Sequence, residues 1–155
     1  MLKTYKAKSG TFVPVFTLEI QILEKDADRI LDAIMTVDPL PYGRYHRNAS
    51  VSGVGKETTV PQANSTTSTH EGSYEFGTAM TYPMVELKIS IERDLDLLEK
   101  LMDVIHEVHH YEEPVIFLRE DWTSRSAYNP KRDNPHRWWN NGEGLPETTT
   151  FVGAK

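Results

Sequence analysis

The sequence contains no cysteine among its 155 residues. That absence excludes disulfide frameworks, thiolate zinc sites, iron–sulfur clusters and cysteine nucleophiles, and it fits a reducing compartment. Basic residues are also in the minority, because 17 Lys and Arg are set against 23 Asp and Glu, for a net charge of −6. Proteins that bind nucleic acid through its phosphates concentrate Lys and Arg, so we expect no nucleic-acid partner.

Long apolar segments are missing as well. No run approaches the roughly 20 residues of a membrane helix. Residues 1–10 are rich in Lys and have no apolar segment behind them, unlike a signal peptide. The hydrophobic fraction of 38% is low for a globular chain, which indicates that part of the sequence is loop or tail. We therefore predict a cytoplasmic protein with a single domain and no membrane partner.

The clearest strand signals are two segments in which apolar and polar residues alternate, residues 13–23 and residues 84–91. An aspartate follows each of them, Asp26 or Asp94, and can cap a helix. Behind each aspartate, apolar residues recur at helical spacing. Each half of the chain therefore predicts a strand followed by a helix.

Two further strands complete the predicted order. A weaker strand is predicted over residues 45–53, and a short one over residues 114–118 opens with a proline. The order strand, helix, strand, strand, helix, strand predicts an α+β fold of the ferredoxin-like βαββαβ type, with two helices on one face of a four-stranded antiparallel sheet. We assign residues 13–118 to this domain, residues 1–12 to an N-terminal extension and residues 119–155 to an irregular C-terminal arm.

Two segments lack periodicity. Residues 56–72 are nearly all polar and cannot bury a core of their own. They form either a mobile loop between two strands or a loop that orders over a ligand or a neighbouring subunit, and composition does not separate these alternatives. The C-terminal arm differs, because it carries Trp122, Trp138 and Trp139. Tryptophan is costly to leave in water, so we expect the arm to dock on its own sheet or on a neighbour.

The sequence His106-Glu107-Val108-His109-His110 matches the H-E-x-x-H zinc motif, in which two histidines share one helical face and the glutamate acts as a base. The match is short and falls at the end of its helix, where the next strand must soon begin. Our main interpretation is a solvated last helical turn, and metal binding or zinc-dependent hydrolysis remain alternatives. The two acids after Tyr111 either form salt bridges at the strand entry or bind a cation.

Residues 109–116, H-H-Y-E-E-P-V-I, resemble the H-P-Y-E-E-P motif that ends the last helix and opens the last strand of PII/CutA-like domains. Smaller similarities at residues 42–45, and at residues 53–55 followed by a proline, favour the PII-like domain inserted in NIF-three-like proteins. The resemblance covers residues 13–118 and agrees with the element order above. It departs from the family at His110, which replaces the motif's proline, and in the C-terminal arm, which has no counterpart.

The resemblance implies a homotrimer that binds a small-molecule effector or a divalent metal in a cleft between subunits. Strands two and four and the polar loop would meet near that cleft. The ligand-binding residues implied there are Tyr45, Arg47, His109 and Tyr111. Glu112 and Glu113 are the metal ligands expected there, because carboxylate oxygens hold divalent cations. The H-E-x-x-H match adds His106 and His110 as further metal candidates.

A non-catalytic regulatory or ligand-binding protein is therefore the function that the resemblance implies. We assign no catalytic residue, and the cofactor is left open with a divalent metal as its one candidate. Two alternatives stay open. One is a structural or protein-interaction module that binds a protein partner through residues 119–155. The other is a small zinc hydrolase that would use His106, Glu107 and His110.

Overall fold

The computed structural model describes residues 6–69, 77–127, 134–137, 140 and 142. Its elements, in chain order, are β1 (Lys6–Ala7), β2 (Gly10–Ile22), α1 (Ala27–Met35), β3 (Ala49–Val51), β4 (Gly55–Thr59), α2 (Thr66–Thr69), β5 (Met80–Glu92), α3 (Leu95–Val108) and β6 (Ile116–Ser126). Within these ranges, no helix combines the length and the apolar character that crossing a membrane requires.

The sheet is antiparallel and has β2 and β5 at its centre. β6 pairs with the edge of β2 that faces away from β5, and β3 and β4 pair with the far edge of β5. β1 forms a short hairpin with the start of β2. With α1 and α3 between the strands, this is the ferredoxin-like βαββαβ arrangement, so the predicted fold class is confirmed.

Both long helices pack on the same face of the sheet. Leu18 of β2 lies opposite Ile89 of β5 and is completely buried. Residues of both helices join the same apolar cluster and are also completely buried: Ile30, Ile34, Leu101 and Ile105. Truncating such a residue to alanine typically costs about 2–5 kcal/mol, so this cluster determines where the two helices lie.

The start of α3 is capped as the sequence predicts. Oδ1 of Asp94 accepts hydrogen bonds from the backbone N–H groups of Asp96, at 2.9 Å, and Leu97, at 3.2 Å. These amides have no partner within the helix, because the first turn lacks preceding carbonyls. The predicted cap at Asp94 is therefore confirmed.

Replacing Asp94 by alanine should lower the free energy of unfolding by about 1 kcal/mol, because two amides of α3 lose their acceptor. Urea denaturation measures this change. Asp94→Ser keeps a capping oxygen and should retain most of the stability. An equal loss in both variants would show that the cap is not the cause.

Asp26 behaves differently from Asp94. It ends a short 3-10 turn, Glu24–Asp26, directly before α1, but its side chain accepts no capping hydrogen bond. The side chain is buried and forms an ion pair with Arg29 at 3.0 Å. The guanidinium of Arg29 also donates to the carbonyl of Val108, the last residue of α3. The predicted cap at Asp26 is therefore wrong, and this residue instead helps to join the start of α1 to the end of α3.

β4 lies inside the segment that the sequence predicts as a polar loop. It pairs with β5 from Gly55 opposite Met84 to Thr59 opposite Met80, and its side chains are mostly exposed. Backbone hydrogen bonds to β5 stabilise this strand without burial, and a strand of that kind shows no apolar alternation in its sequence. The loop prediction is therefore wrong for β4 and for the short helix α2.

β6 is longer than the sequence predicts. It continues past Leu118 to Ser126, pairing with β2 as far as Gly10. A side chain at Gly10 would collide with this strand, because a Cβ atom there would lie 2.4 Å from the carbonyl oxygen of Arg125. Trp122 therefore lies in β6. The docking predicted for Trp138 and Trp139 concerns positions outside the described residues.

Candidate functional site

His109 organises the segment between α3 and β6, residues 109–115, which we call the α3–β6 junction. The backbone N–H of Tyr111 donates to Nδ1 of His109 at 3.0 Å. Since Nδ1 is an acceptor, the ring proton lies on Nε2, which donates to the carbonyl of Gln21 at 3.0 Å. Burial lowers the pKa of His109, although the bond to Gln21 opposes that shift. The neutral imidazole thus connects the junction to the end of β2.

Acid should weaken this connection. The pKa of His109 in the folded protein lies below its ordinary value of 6.5, so the unfolded chain binds the proton more tightly. The contribution of His109 to stability is therefore complete above that ordinary value and declines as the pH falls below it. Denaturation curves between pH 7.5 and pH 5 measure the decline. His109→Gln, which does not titrate, should show a shallower slope, and an unchanged slope would contradict the assignment.

Tyr111 lies against two other rings. Its ring centroid is 5.8 Å from that of Tyr82 and 4.9 Å from that of His109, both in edge-to-face geometry. Burial, together with the nearby carboxylate of Glu57, raises the pKa of Tyr111 far above its usual range. Burial and Glu57 also raise the pKa of Tyr82. Both phenols are therefore protonated at any physiological pH.

Two polar atoms in this group, the hydroxyl of Tyr111 and Oε2 of Glu57, are shielded from solvent. The hydroxyl lies beside the Glu57 carboxylate, which raises the pKa of Tyr111 both as a hydrogen-bond acceptor and as a negative charge. Glu57 and Tyr82 lie directly opposite each other in the pairing of β4 with β5. The pairing of β4 with β5 therefore places the Glu57 carboxylate and the Tyr82 ring next to Tyr111.

An open cleft of about 720 Å³ lies between the α3–β6 junction and the β4–β5 hairpin, and we call it the junction cleft. Its walls combine two aromatic rings, three carboxylates and several apolar side chains. These lining residues are Tyr82, Tyr111, Glu57, Glu112, Glu113, Leu23, Met80 and Val115. Among the described residues no Lys or Arg lines it, so its electrostatic character is acidic.

Glu112 closes one side of the cleft. Its Oε2 accepts a hydrogen bond of 2.7 Å from the backbone N–H of Thr66, the first residue of α2. The carbonyl of Pro61, a buried residue of the same loop, accepts a hydrogen bond from the N–H of Gly77 at 2.9 Å. The segment after β4 is thus held against the junction.

The structure brings together five of the eight predicted site residues. His110, Tyr111, Glu112 and Glu113 all line the junction cleft, and His109 lies behind Tyr111. Tyr45, Arg47 and His106 do not line it.

Arg47 and Tyr45 lie beyond the end of α1. The guanidinium of Arg47 pairs with Asp28, at 3.0 Å, and with Asp32, one turn further along α1. The backbone of Arg47 has a positive φ of 55°, in the left-handed region that non-glycine residues rarely adopt. Tyr45 is 72% exposed. Arg47 therefore acts on the surface of α1 and not at the junction cleft.

His106 and His110 do not share a helical face. α3 ends at Val108, so His110 lies outside the helix. His106 is exposed, and its Nδ1 is 2.8 Å from the carbonyl of Met102. No three side chains of His, Asp or Glu in the described ranges lie close enough to hold a metal. The geometry that the zinc motif requires is therefore absent from this helix end.

Sequence reasoning missed two residues of the site, Glu57 and Tyr82. Glu57 falls in the segment predicted as a loop, and Tyr82 precedes the predicted start of its strand. Only the register of the β4–β5 pairing brings these two residues together. The polar loop between the strands contains no turn motif that would predict this register from the sequence.

Comparison of the sequence with protein-family models and with curated proteins gave no match. Solved structures do match. A Bacillus cereus protein related to NIF3 is 18% identical with a TM-score of 0.56, over 80% of this chain and 30% of that one. The divalent ion tolerance protein CutA1 from Ehrlichia chaffeensis is 13% identical with a TM-score of 0.49, over 81% of this chain and 90% of that one.

A third match is the GlnK–ATP complex of B. subtilis, 9% identical with a TM-score of 0.45, over 70% of this chain and 83% of that one. The chain spans only 30% of the length of the NIF3-related protein. At 18% identity, the likeness to the NIF3-related protein shows the fold alone. The chain therefore has a ferredoxin-like fold, and the predicted resemblance is confirmed at that level.

Proposed function

We propose that this chain is a non-catalytic ligand-binding protein that takes a small molecule in the junction cleft. The observation that carries the proposal is the junction cleft itself, which has a volume of about 720 Å³ and is lined by tyrosine rings, carboxylates and apolar side chains. Small-molecule sites are typically concave, with largely apolar walls and a few polar groups that orient the ligand.

The chemistry of the neighbouring side chains supports binding over catalysis. Both ring nitrogens of His109 are bonded to the backbone, which leaves no lone pair for a substrate. The Tyr111 hydroxyl is held protonated and cannot act as a base near neutral pH. We therefore assign no catalytic residue.

We also propose that the protein self-associates, with the homotrimer implied by the PII-like resemblance as the expected form. Within the described ranges, no strand pairs with the outer edge of β6, and Phe117 and Leu118 on this strand are half exposed. An unpaired edge with exposed apolar side chains can pair with another chain. A metal held by Glu112 and Glu113 would then need further ligands from a second subunit.

Native mass spectrometry of protein purified without chelator or affinity histidines tests both proposals. We expect a trimer that carries additional mass. Glu57→Gln should lose that mass, whereas Glu99→Gln, which removes an exposed carboxylate of α3, should keep it. Additional mass that both variants retain would locate the ligand elsewhere. A monomer with one tightly bound zinc would instead favour the hydrolase alternative.

The interaction-module alternative is tested by deleting residues 128–155. A deletion from residue 119 is unsuitable, because it would remove most of β6. If the shortened protein keeps its oligomeric state and its ligand, the arm is not the functional part. Loss of self-association together with an empty junction cleft would favour the interaction module.

A further inference from the structure

The outer edge of β6 presents backbone groups that no strand in the described part of the chain pairs with. The N–H of Gln21 donates to the carbonyl of Val115, and the N–H of Ala127 donates to the carbonyl of Ser9. Because the direction of hydrogen bonding alternates along an antiparallel strand, these two bonds establish which residues of β6 bond to β2. The residues between them that direct their N–H and C=O groups away from β2 are Ile116, Leu118, Glu120, Trp122 and Ser124.

Tyr42 covers one end of this edge. Its hydroxyl donates to the carbonyl of Ser124 at 2.9 Å and also lies 3.1 Å from Ser124 Oγ. A side chain bonded to an outward carbonyl blocks strand pairing at that point. The edge that stays available runs from Ile116 to Trp122, which is about the length of an average strand.

The C-terminal arm contains a segment with the sequence signature of a strand. Residues 147–152, E-T-T-T-F-V, combine three threonines with a phenylalanine and a valine, and Pro146 and Gly153 bound them. β-branched and aromatic residues between two turn residues are typical of a strand. This segment lies outside the described residues, and its length suits the available part of the β6 edge.

The apolar side chains of the two segments complement each other. Phe117 and Leu118 are half exposed, and as neighbours in a strand they lie on opposite faces of the sheet. Phe151 and Val152 are also neighbours in the chain. Pairing these two segments therefore places an apolar cross-strand contact on each face of the sheet, and contacts of this kind stabilise strand pairing.

We propose that residues 147–152 of a second copy of this chain add a strand to the β6 edge between Ile116 and Trp122. This inference rests on the proposed self-association, which uses the same edge, and it names the segment that pairs there. Main-chain hydrogen bonds supply the affinity of such an added strand. The bond from Tyr42 to Ser124 limits how far the added strand extends toward the end of β6.

Thr149→Pro tests the inference, because proline removes one N–H from the added strand and restricts its backbone. We expect sedimentation velocity to show self-association weakened by roughly tenfold or more. Thr149→Val keeps the N–H and a β-branched side chain, so it should associate like the wild type.

Amide hydrogen exchange, followed by NMR, locates the effect. In Thr149→Pro the outward amides of Leu118 and Glu120 should exchange roughly tenfold faster or more, because they lose their acceptors. The amides of Phe117 and Arg119 bond to β2 and should keep their rates, which also shows that the variant is folded.

A mixing experiment identifies the chain that supplies the strand. Labelled Thr149→Pro chains are unfolded and refolded with an excess of unlabelled wild-type chains. If the strand comes from a second copy, the amides of Leu118 and Glu120 regain slow exchange. If they remain fast in the mixed oligomer, each chain covers its own edge, and the inference is wrong.

Two further results would overturn the inference, and they separate it from the proposed self-association. If Thr149→Pro keeps the wild-type oligomer and slow exchange at Leu118 and Glu120, another surface joins the copies, so the inference fails while self-association stands. If the wild type is monomeric at every concentration, the proposed self-association fails together with the inference.

Discussion

Replacing His109 by alanine should lower the free energy of unfolding by about 2–4 kcal/mol. The change removes the acceptor of the Tyr111 N–H and the donor to the Gln21 carbonyl, and it leaves both backbone groups partly buried and unpaired. It also removes the ring that packs on Tyr111 at 4.9 Å. Equilibrium unfolding in urea measures the loss.

The matched control is His106→Ala, because His106 lies one turn earlier and is exposed. Its replacement should change the free energy of unfolding by no more than about 0.5 kcal/mol. Similar losses in the two variants would mean that the connection from the α3–β6 junction to β2 contributes nothing specific.

Tyr111→Phe should lower the free energy of unfolding by about 1 kcal/mol. The Tyr111 hydroxyl is shielded from solvent and lies beside the Glu57 carboxylate, which would lose this donor. Urea denaturation measures the change.

Tyr45→Phe is the control for this substitution. Tyr45 is largely exposed and does not line the junction cleft, so neither stability nor binding should change. A Tyr111→Phe variant that is as stable as the wild type would contradict the expectation, because it would show that the hydroxyl gains nothing from the Glu57 carboxylate beside it.

The central strands were predictable from the sequence because their apolar and polar side chains alternate. Leu18 and Ile89 are buried on one face of the sheet, and polar neighbours alternate with them along β2 and β5. β4 and the second half of β6 depend on backbone pairing with strands already in place. Their side chains remain mostly exposed, so no period marks these strands in the sequence.

The site was predictable only where it is contiguous in the chain. His109, Tyr111 and Glu112 follow one another, and the family motif indicates them together. Glu57 lies near these residues because of the register between β4 and β5. Arg47 lies away from them because two carboxylates of α1 bind its guanidinium. Cross-strand register and long-range ion pairs are tertiary facts that single-sequence patterns do not encode.

The hydrogen bond from the Thr66 N–H to Glu112 has a practical consequence. The bond joins two segments that line the junction cleft, the loop around Thr66 and the α3–β6 junction. A ligand that enters has to leave this bond intact or break it. The exchange rate and chemical shift of the Thr66 amide therefore form an intrinsic sensor of occupancy, one that needs no added label beyond ¹⁵N.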